Sequence, residues 1–188
     1  MTPRPTVVTD DALAAEWSEI QAAQQDAAAF APLYDRYYEP IFRFIYRRAP
    51  DESVAVDLCS QTFLKALQNL PRYQYRGVPF SAWLYRIASN EVAQYFRNSG
   101  KQRTVSLQER QVASVEAATY QGDTAHELQM SQLVKALDYL KEKDLQLIEM
   151  RFFEERPFKE IADVLGITES NAKVRTYRIL KRLKKRFF

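Results

Sequence analysis

The chain has 188 residues, 46% hydrophobic and 27% charged, with a net charge of +3. That length suits one domain or two small ones, and no apolar run approaches the ~20 residues a membrane helix needs. One cysteine (Cys59) excludes an internal disulfide, one histidine (His126) excludes the usual zinc sets, and the scattered Gly77, Gly100, Gly122 and Gly166 leave no phosphate-cradling loop. No metal, no cofactor and no enzyme chemistry is expected. Met1 to Thr9 holds two prolines, one arginine and no apolar core, so it reads as a disordered tail and not as a secretory signal; a cytoplasmic location follows.

Residues 10–97 show helical periodicity broken at Asp26, at Pro50-Asp51 and between Leu70 and Pro79, which predicts four helices. Leu13, Trp17 and Ile20 mark the first. Phe30, Leu33, Tyr34, Tyr37, Ile41, Phe42, Ile45 and Tyr46 mark a long, aromatic-rich second. The third runs near Ser53 to Leu70 with Val54, Leu58, Phe63, Leu64 and Leu67 on its apolar face, and Cys59 within that pattern reads as a small buried residue. The fourth, Phe80 to Phe96, turns Trp83, Leu84, Ile87, Ala88 and Val92 inward.

From Asn98 to Gln129 the pattern dissolves into Ser, Gln, Thr and Glu around a solvated His126, the composition of a linker. Periodicity resumes in residues 130–188 at Leu133, Leu137 and Leu140, then at Leu145, Ile148 and Phe152. No strand-like alternation of useful length and no internal repeat intervenes. The fold class is therefore all-α: two small helical domains joined by a flexible linker, the second ending in a helix-turn-helix.

That last assignment rests on PFKEIADVLGITESNAKVRTYRILKRLKKRFF, residues 157–188. Phe158, Ile161, Ala162 and Leu165 recur at three- and four-residue spacing on one face of a short helix, and Pro157 fits its first position. Gly166 follows the last apolar residue, where a missing Cβ opens the left-handed conformation. Thr168 is placed to cap a second helix from Glu169. In that helix the spacing of Ala172, Thr176, Ile179 and Leu183 turns them inward. It leaves Ser170, Asn171, Lys173, Val174, Tyr177, Arg178 and Lys181 outward, as on a recognition helix that enters the major groove. The segment holds nine Lys and Arg against three acids, a local +6 suited to phosphates. The plain alternative is a solvated amphipathic helix closing a bundle; the small Ala162, Gly166 and Ala172 at the motif's spacing favour DNA.

LKEKDLQLIEMRFFEERPFKEIADVLGITESNAKVRTYRILKRLKK resembles the minus-thirty-five-binding domain of bacterial sigma factors, and RGVPFSAWLYRIASNEVAQYFRN resembles the promoter-melting, minus-ten-reading segment of the same family. With no domain between them, the resemblance is to the extracytoplasmic-function type. It implies an alternative sigma factor: a dissociable subunit that binds core RNA polymerase and directs promoter recognition, DNA melting and initiation. The domains implied are 10–97 for polymerase binding and the minus-ten element, and 130–188 for the minus-thirty-five element. By the resemblance, outward Lys173, Val174, Tyr177 and Arg178 match positions that contact the upstream element, with Ser170, Asn171 and Lys181 joining them by their outward spacing; an Arg forked onto guanine gives ~1–3 kcal/mol of discrimination.

For the minus-ten element the resemblance implies Tyr75, Arg76, Asn90, Gln94 and Arg97. The family uses the Tyr73 to Gly77 loop to hold a flipped base. Unstacking a base costs a few kcal/mol and stacking it on an aromatic returns roughly 1–3 kcal/mol, so Tyr75 with Asn90 can trap an opened base without nucleotide hydrolysis. The other reading of Tyr75 is a turn aromatic packed on the domain edge. For docking on the beta-prime clamp helices the resemblance implies Asp57, Ser60, Gln61 and Phe63, although the family's usual Gln-Glu is Ser60-Gln61 here. Glu155, where the family often has Gly, and the short Gly77-Val78-Pro79-Phe80 loop are further departures. Further implied partners are the polymerase beta flap, promoter DNA and an anti-sigma factor. No membrane insertion is implied, and the free protein is expected to be a monomer.

A free coil the length of residues 98–129 has ends roughly 30 Å apart and reaches at most on the order of 100 Å. Two promoter elements two duplex turns apart are separated by ~70 Å. An unguided linker therefore rarely places both domains, and threading it through core polymerase raises the effective concentration of the second contact. Poor promoter binding by the isolated chain is expected. The competing reading is a stand-alone helix-turn-helix regulator, which needs a self-complementary dimerisation helix that the sequence does not offer. Phe187 and Phe188 are open to packing on the last domain or contacting a partner.

Overall fold

The computed structural model describes residues 10–99, 136–137 and 139–187, all helix or short connection, with no strand among the described residues. The chain divides into two units, Met1–Arg103 and Thr104–Phe188. The tail at 1–9 lies outside the described residues, as does the expected linker beyond its first two positions.

The first unit comprises α1 (Asp10–Gln25), a 3-10 turn (Ala27–Phe30), α2 (Ala31–Tyr46), α3 (Glu52–Asn69), a 3-10 turn (Leu70–Arg72) and α4 (Phe80–Ser99). Two of the expected breaks are caps. The Asp26 carboxylate accepts the Ala28 N–H at 2.9 Å, and Asp51 accepts the Val54 N–H at 2.8 Å, each satisfying an orphan donor at a helix start. α4 packs across α2 and α3, burying Leu33, Ile41, Phe44, Ile45, Leu58, Phe80, Leu84 and Tyr85. Phe44 meets Tyr85 edge-on at 5.0 Å, an arrangement that suits the ring quadrupoles. Cys59 is fully buried, and burial pushes its thiol up to about 12, so it remains a neutral packing group.

Two sequence expectations shift here. α4 continues to Ser99, through the expected linker start at Asn98. Leu64, expected on the apolar face of α3, is 56% exposed. The buried stripe of that helix is Ala55, Leu58, Cys59, Thr62, Phe63 and Ala66, and two residues beyond Thr62 is the opposite side of a 3.6-residue turn.

The second unit contains α5 (Glu142–Phe152), α6 (Phe158–Leu165) and α7 (Glu169–Phe187). Leu137, Leu140, Leu145 and Ile148 are buried as their spacing predicts; Leu133 lies outside the described residues. Phe152 breaks the pattern at 52% exposure, because it is the last residue of α5 and the chain turns away after it, while Leu147 and Met150 are buried instead. The turn closes through Phe153 and Glu154 N–H groups donating to the Glu149 carbonyl and Arg156 N–H donating to that of Met150. Glu155 sits there at φ 53°, which accounts for the glycine usual at this place in the family.

Pro157 is extended, with ψ 150°, one position before its expected place. It caps α6, and its carbonyl accepts the Ile161 N–H at 3.1 Å. At the other end Gly166 is left-handed, φ 66° and ψ 36°. Ile167 N–H reaches the Ala162 carbonyl at 2.9 Å and Gly166 N–H that of Asp163 at 3.4 Å, the paired bonds of a Schellman stop. The Thr168 hydroxyl then accepts the Asn171 N–H at 3.2 Å and opens α7.

Candidate nucleic-acid interface

α7 separates two faces cleanly. Ala172, Thr176, Ile179 and Leu183 are buried against α5 and α6, and the Thr176 hydroxyl donates to the Ala172 carbonyl one turn back, so the inner face holds no unsatisfied hydroxyl. Ser170, Asn171, Lys173, Val174, Tyr177, Arg178 and Lys181 are all exposed, with Tyr177 at 69%. This is the set expected from spacing. Lys173 pairs with Glu169 at 2.6 Å, an exposed i,i+4 bridge that a phosphate can displace at little cost.

The rotation of α7 is set by a residue that periodicity does not reveal. Asp144, in the first turn of α5 and largely buried, accepts from Arg175 Nε and from Arg182 Nη2, each at 2.7 Å. Burial alone would raise its carboxyl, but the hydrogen bonds from Arg182 and Arg175 outweigh that and hold it below the ordinary value. The two arginines stand seven residues apart on one flank of α7. That spacing was the available signal, and nothing in it names the acid.

In the first unit, residues 73–79 link the 3-10 turn to α4. Tyr73 is buried, its ring 4.7 Å from Trp83 and 5.2 Å from Phe80; Gln74, Tyr75 and Arg76 are exposed, and Gly77 takes φ 69°. Tyr75 is 42% exposed with its ring 5.9 Å from Trp17 of α1, so one face is supported and the rest is accessible. Asn90, Gln94 and Arg97 are exposed along α4. Trp83, expected in the core, is only half-buried, at the core's edge with its ring against Tyr73 and Phe80. Trp17, read from sequence only as a core marker, is the support beneath Tyr75.

On α3, Asp57, Ser60 and Gln61 are exposed, but Phe63 is not. It is 4% exposed, with Tyr34 edge-on at 4.8 Å and Tyr38 at 6.2 Å, and so it packs beneath the surface of this unit. The exposed apolar groups on this helix are Val56 and Leu64, on the same side as Asp57, Ser60 and Gln61. Asp57, Gln61 and Gln94 also line one groove between α3 and α4, about 480 Å³, together with Lys65 and Glu91. There the buried Glu91 carboxylate receives both bonds of Lys65 Nζ at 2.7 Å, a paired and therefore tolerable internal charge.

Among the described residues no group of His, Cys, Asp and Glu could hold a metal ion, and no helix is long and apolar enough to cross a membrane. The fold and the exposed basic helix define a class: all-helical helix-turn-helix proteins that lay a basic helix against nucleic acid. Residues 33–102 match the sigma-70 region 2 family and residues 130–183 match sigma-70 region 4. The chain is 32% identical over 180 residues to the ECF RNA polymerase sigma factor BldN of Streptomyces coelicolor, covering 96% of this chain and 68% of that one. It is 30% identical to the RNA polymerase sigma factor YlaC of Bacillus subtilis, over 81% of this chain and 88% of that one. Among solved structures it is similar in fold to CnrH, in complex with the cytosolic domain of CnrY, with a TM-score of 0.63 at 20% identity over 91% of this chain and 96% of that one. It is also similar to the sigma factor RpoE of Bartonella quintana in complex with the anti-sigma factor NepR, with a TM-score of 0.56 at 20% identity over 83% and 94%. The chain belongs to the extracytoplasmic-function RNA polymerase sigma factors of the sigma-70 family, and is a non-enzymatic alternative sigma factor that directs transcription initiation.

Proposed function

We propose a division of that activity between the two units. Residues 10–97 dock on the beta-prime clamp helices through Asp57, Ser60 and Gln61, with Val56 and Leu64 supplying apolar contact and Phe63 stiffening the face from beneath. The same unit captures the minus-ten element with Tyr75, Arg76, Asn90, Gln94 and Arg97. Residues 130–188 contact the minus-thirty-five element through Ser170, Asn171, Lys173, Val174, Tyr177, Arg178 and Lys181, beside the beta flap. The protein works in the cytoplasm, is a monomer when free, and is held inactive by an anti-sigma factor, a partner suggested by the complex of the Bartonella relative.

The observation that carries this reading is the supported, half-exposed ring of Tyr75, in the one loop that leads into the helix bearing Asn90 and Gln94. A flipped base becomes available only after the duplex opens, so this ring acts after closed-complex formation. Tyr75→Ala removes about 1–3 kcal/mol of stacking, which depresses the open complex roughly five- to a hundredfold on duplex promoters. A pre-melted bubble already carries the unstacking cost and should restore part of it. Permanganate reactivity of unpaired thymines reads both templates, and wild-type reactivity for Tyr75→Ala and Asn90→Ala on the duplex would reduce Tyr75 to a packing residue.

A further inference from the structure

We infer that α1 is a clamp that pre-sets the base-capturing loop, with Gln24, Trp17 and Glu16 as positioning residues for Tyr75; this rests on the minus-ten reading of Tyr75 above. α1 lies before the first residue matched by the region 2 family, so nothing in that match assigns it a role. Yet it touches the loop at both ends and in the middle.

At the entry, Gln24 Nε2 donates to the carbonyls of Leu70 and Tyr73, each at 2.9 Å, residues 46 and 49 positions away in sequence. At the exit, Glu16 Oε2 accepts the N–H of Phe80, the first residue of α4, at 2.8 Å. That bond supplies the helix start with a negative cap from another helix. Its other oxygen accepts the Tyr37 hydroxyl, so α2 holds the carboxylate from behind. Between the two ends the Trp17 ring lies 6.2 Å from Tyr73 and 5.9 Å from Tyr75. Positions 16, 17, 20 and 24 share one helix face, and Ile20 is buried among them as the anchor of α1 in the core.

A loop of residues 73–79 without such ties would sample many conformations and lose that freedom each time a base is captured. Fixed at both ends, with a ring under its aromatic, it meets the base already arranged. The clamp therefore acts on the open complex and leaves the upstream contact unaffected.

The test uses the full chain with two substitutions, Gln24→Ala, which removes both entry bonds, and Trp17→Leu, which removes the support and keeps an apolar side chain. Hydrogen exchange of the Tyr73 and Phe80 amides, bonded to the Leu70 carbonyl and to Glu16 at the two ends of the loop, should accelerate several-fold in each variant while amides in α2 and α3 stay at wild-type rates. With core polymerase on a duplex promoter, open complexes should fall several-fold in each variant, and by no more than in Tyr75→Ala. In a Tyr75→Ala background neither substitution should add a further loss, because both act through that ring; a merely structural role would give additive effects. Unchanged exchange at Tyr73 and Phe80, or additivity with Tyr75→Ala, overturns the clamp. Accelerated exchange together with wild-type melting by Tyr75→Ala overturns the minus-ten reading instead, and leaves the clamp as a feature of the loop alone.

Discussion

Replacing Asp144 with asparagine probes how α7 is held against its own unit. The carboxylate accepts one bond from Arg175 and one from Arg182, both 2.7 Å, with the side chains 12%, 31% and 49% exposed. Asparagine keeps one neutral acceptor and turns its amide NH2, a donor, toward the other guanidinium. Losing one charge-assisted bond, at about 1.5–3 kcal/mol, and weakening the second leaves a cost of about 2 kcal/mol once the exposure of Arg182 is discounted. That corresponds to roughly 30-fold in the opening equilibrium, readable as hydrogen exchange of α7 amides, which reports this unit alone. The effect is also pH-dependent. The folded carboxyl is held below its ordinary 3.8, so the unfolded chain takes up the proton first as pH falls. The stabilisation is therefore complete above the ordinary value and is lost as pH falls through the lower, folded one. Wild type and Asp144→Asn should differ by a constant amount from about pH 8 to 5, and the gap should begin to close below about pH 4. Equal stabilities at pH 7, or a gap unchanged down to pH 3, would refute the clamp between Asp144 and the two arginines.

Lys173→Ala and Arg178→Ala should each weaken use of the upstream element, and base substitutions there should matter less to at least one of them. If transcription assays find base preference unchanged while only the salt dependence of binding falls, the two residues are phosphate anchors and not readers. Two backbone substitutions should act in opposite directions. Gly166→Ala meets no side-chain clash but forces a Cβ into the left-handed region, a loss of about 1 kcal/mol in urea unfolding, whereas Glu155→Gly relieves the same strain at φ 53° and should gain about 0.5–1 kcal/mol.

How much of this was legible follows the range of the interactions. The inner and outer faces of α7 were readable because 3.6-residue periodicity fixes them locally, and Gly166 and Thr168 announced the turn through backbone chemistry confined to a few residues. The same rule misplaced Leu64 and Phe152, where an apolar residue falls outside the buried stripe or at a helix end. Periodicity placed Phe63 on the apolar face of α3, where it is buried beside Tyr34 and Tyr38; its docking role came from the resemblance alone. Glu16, Gln24 and Asp144 were invisible because each reaches a partner 31 to 64 residues away, and a polar side chain inside a helix carries no periodic mark of such a partner. The site is thus legible where one helix presents it and hidden where separate helices must meet to hold it.

The most direct measurement is run-off transcription from a template bearing two spaced promoter elements, with core polymerase alone, this chain alone and the two combined, paired with a footprint of each. The account predicts a specific transcript and protection of both elements only in the combination. Protection of both elements by the chain alone, with core polymerase adding nothing, would contradict it.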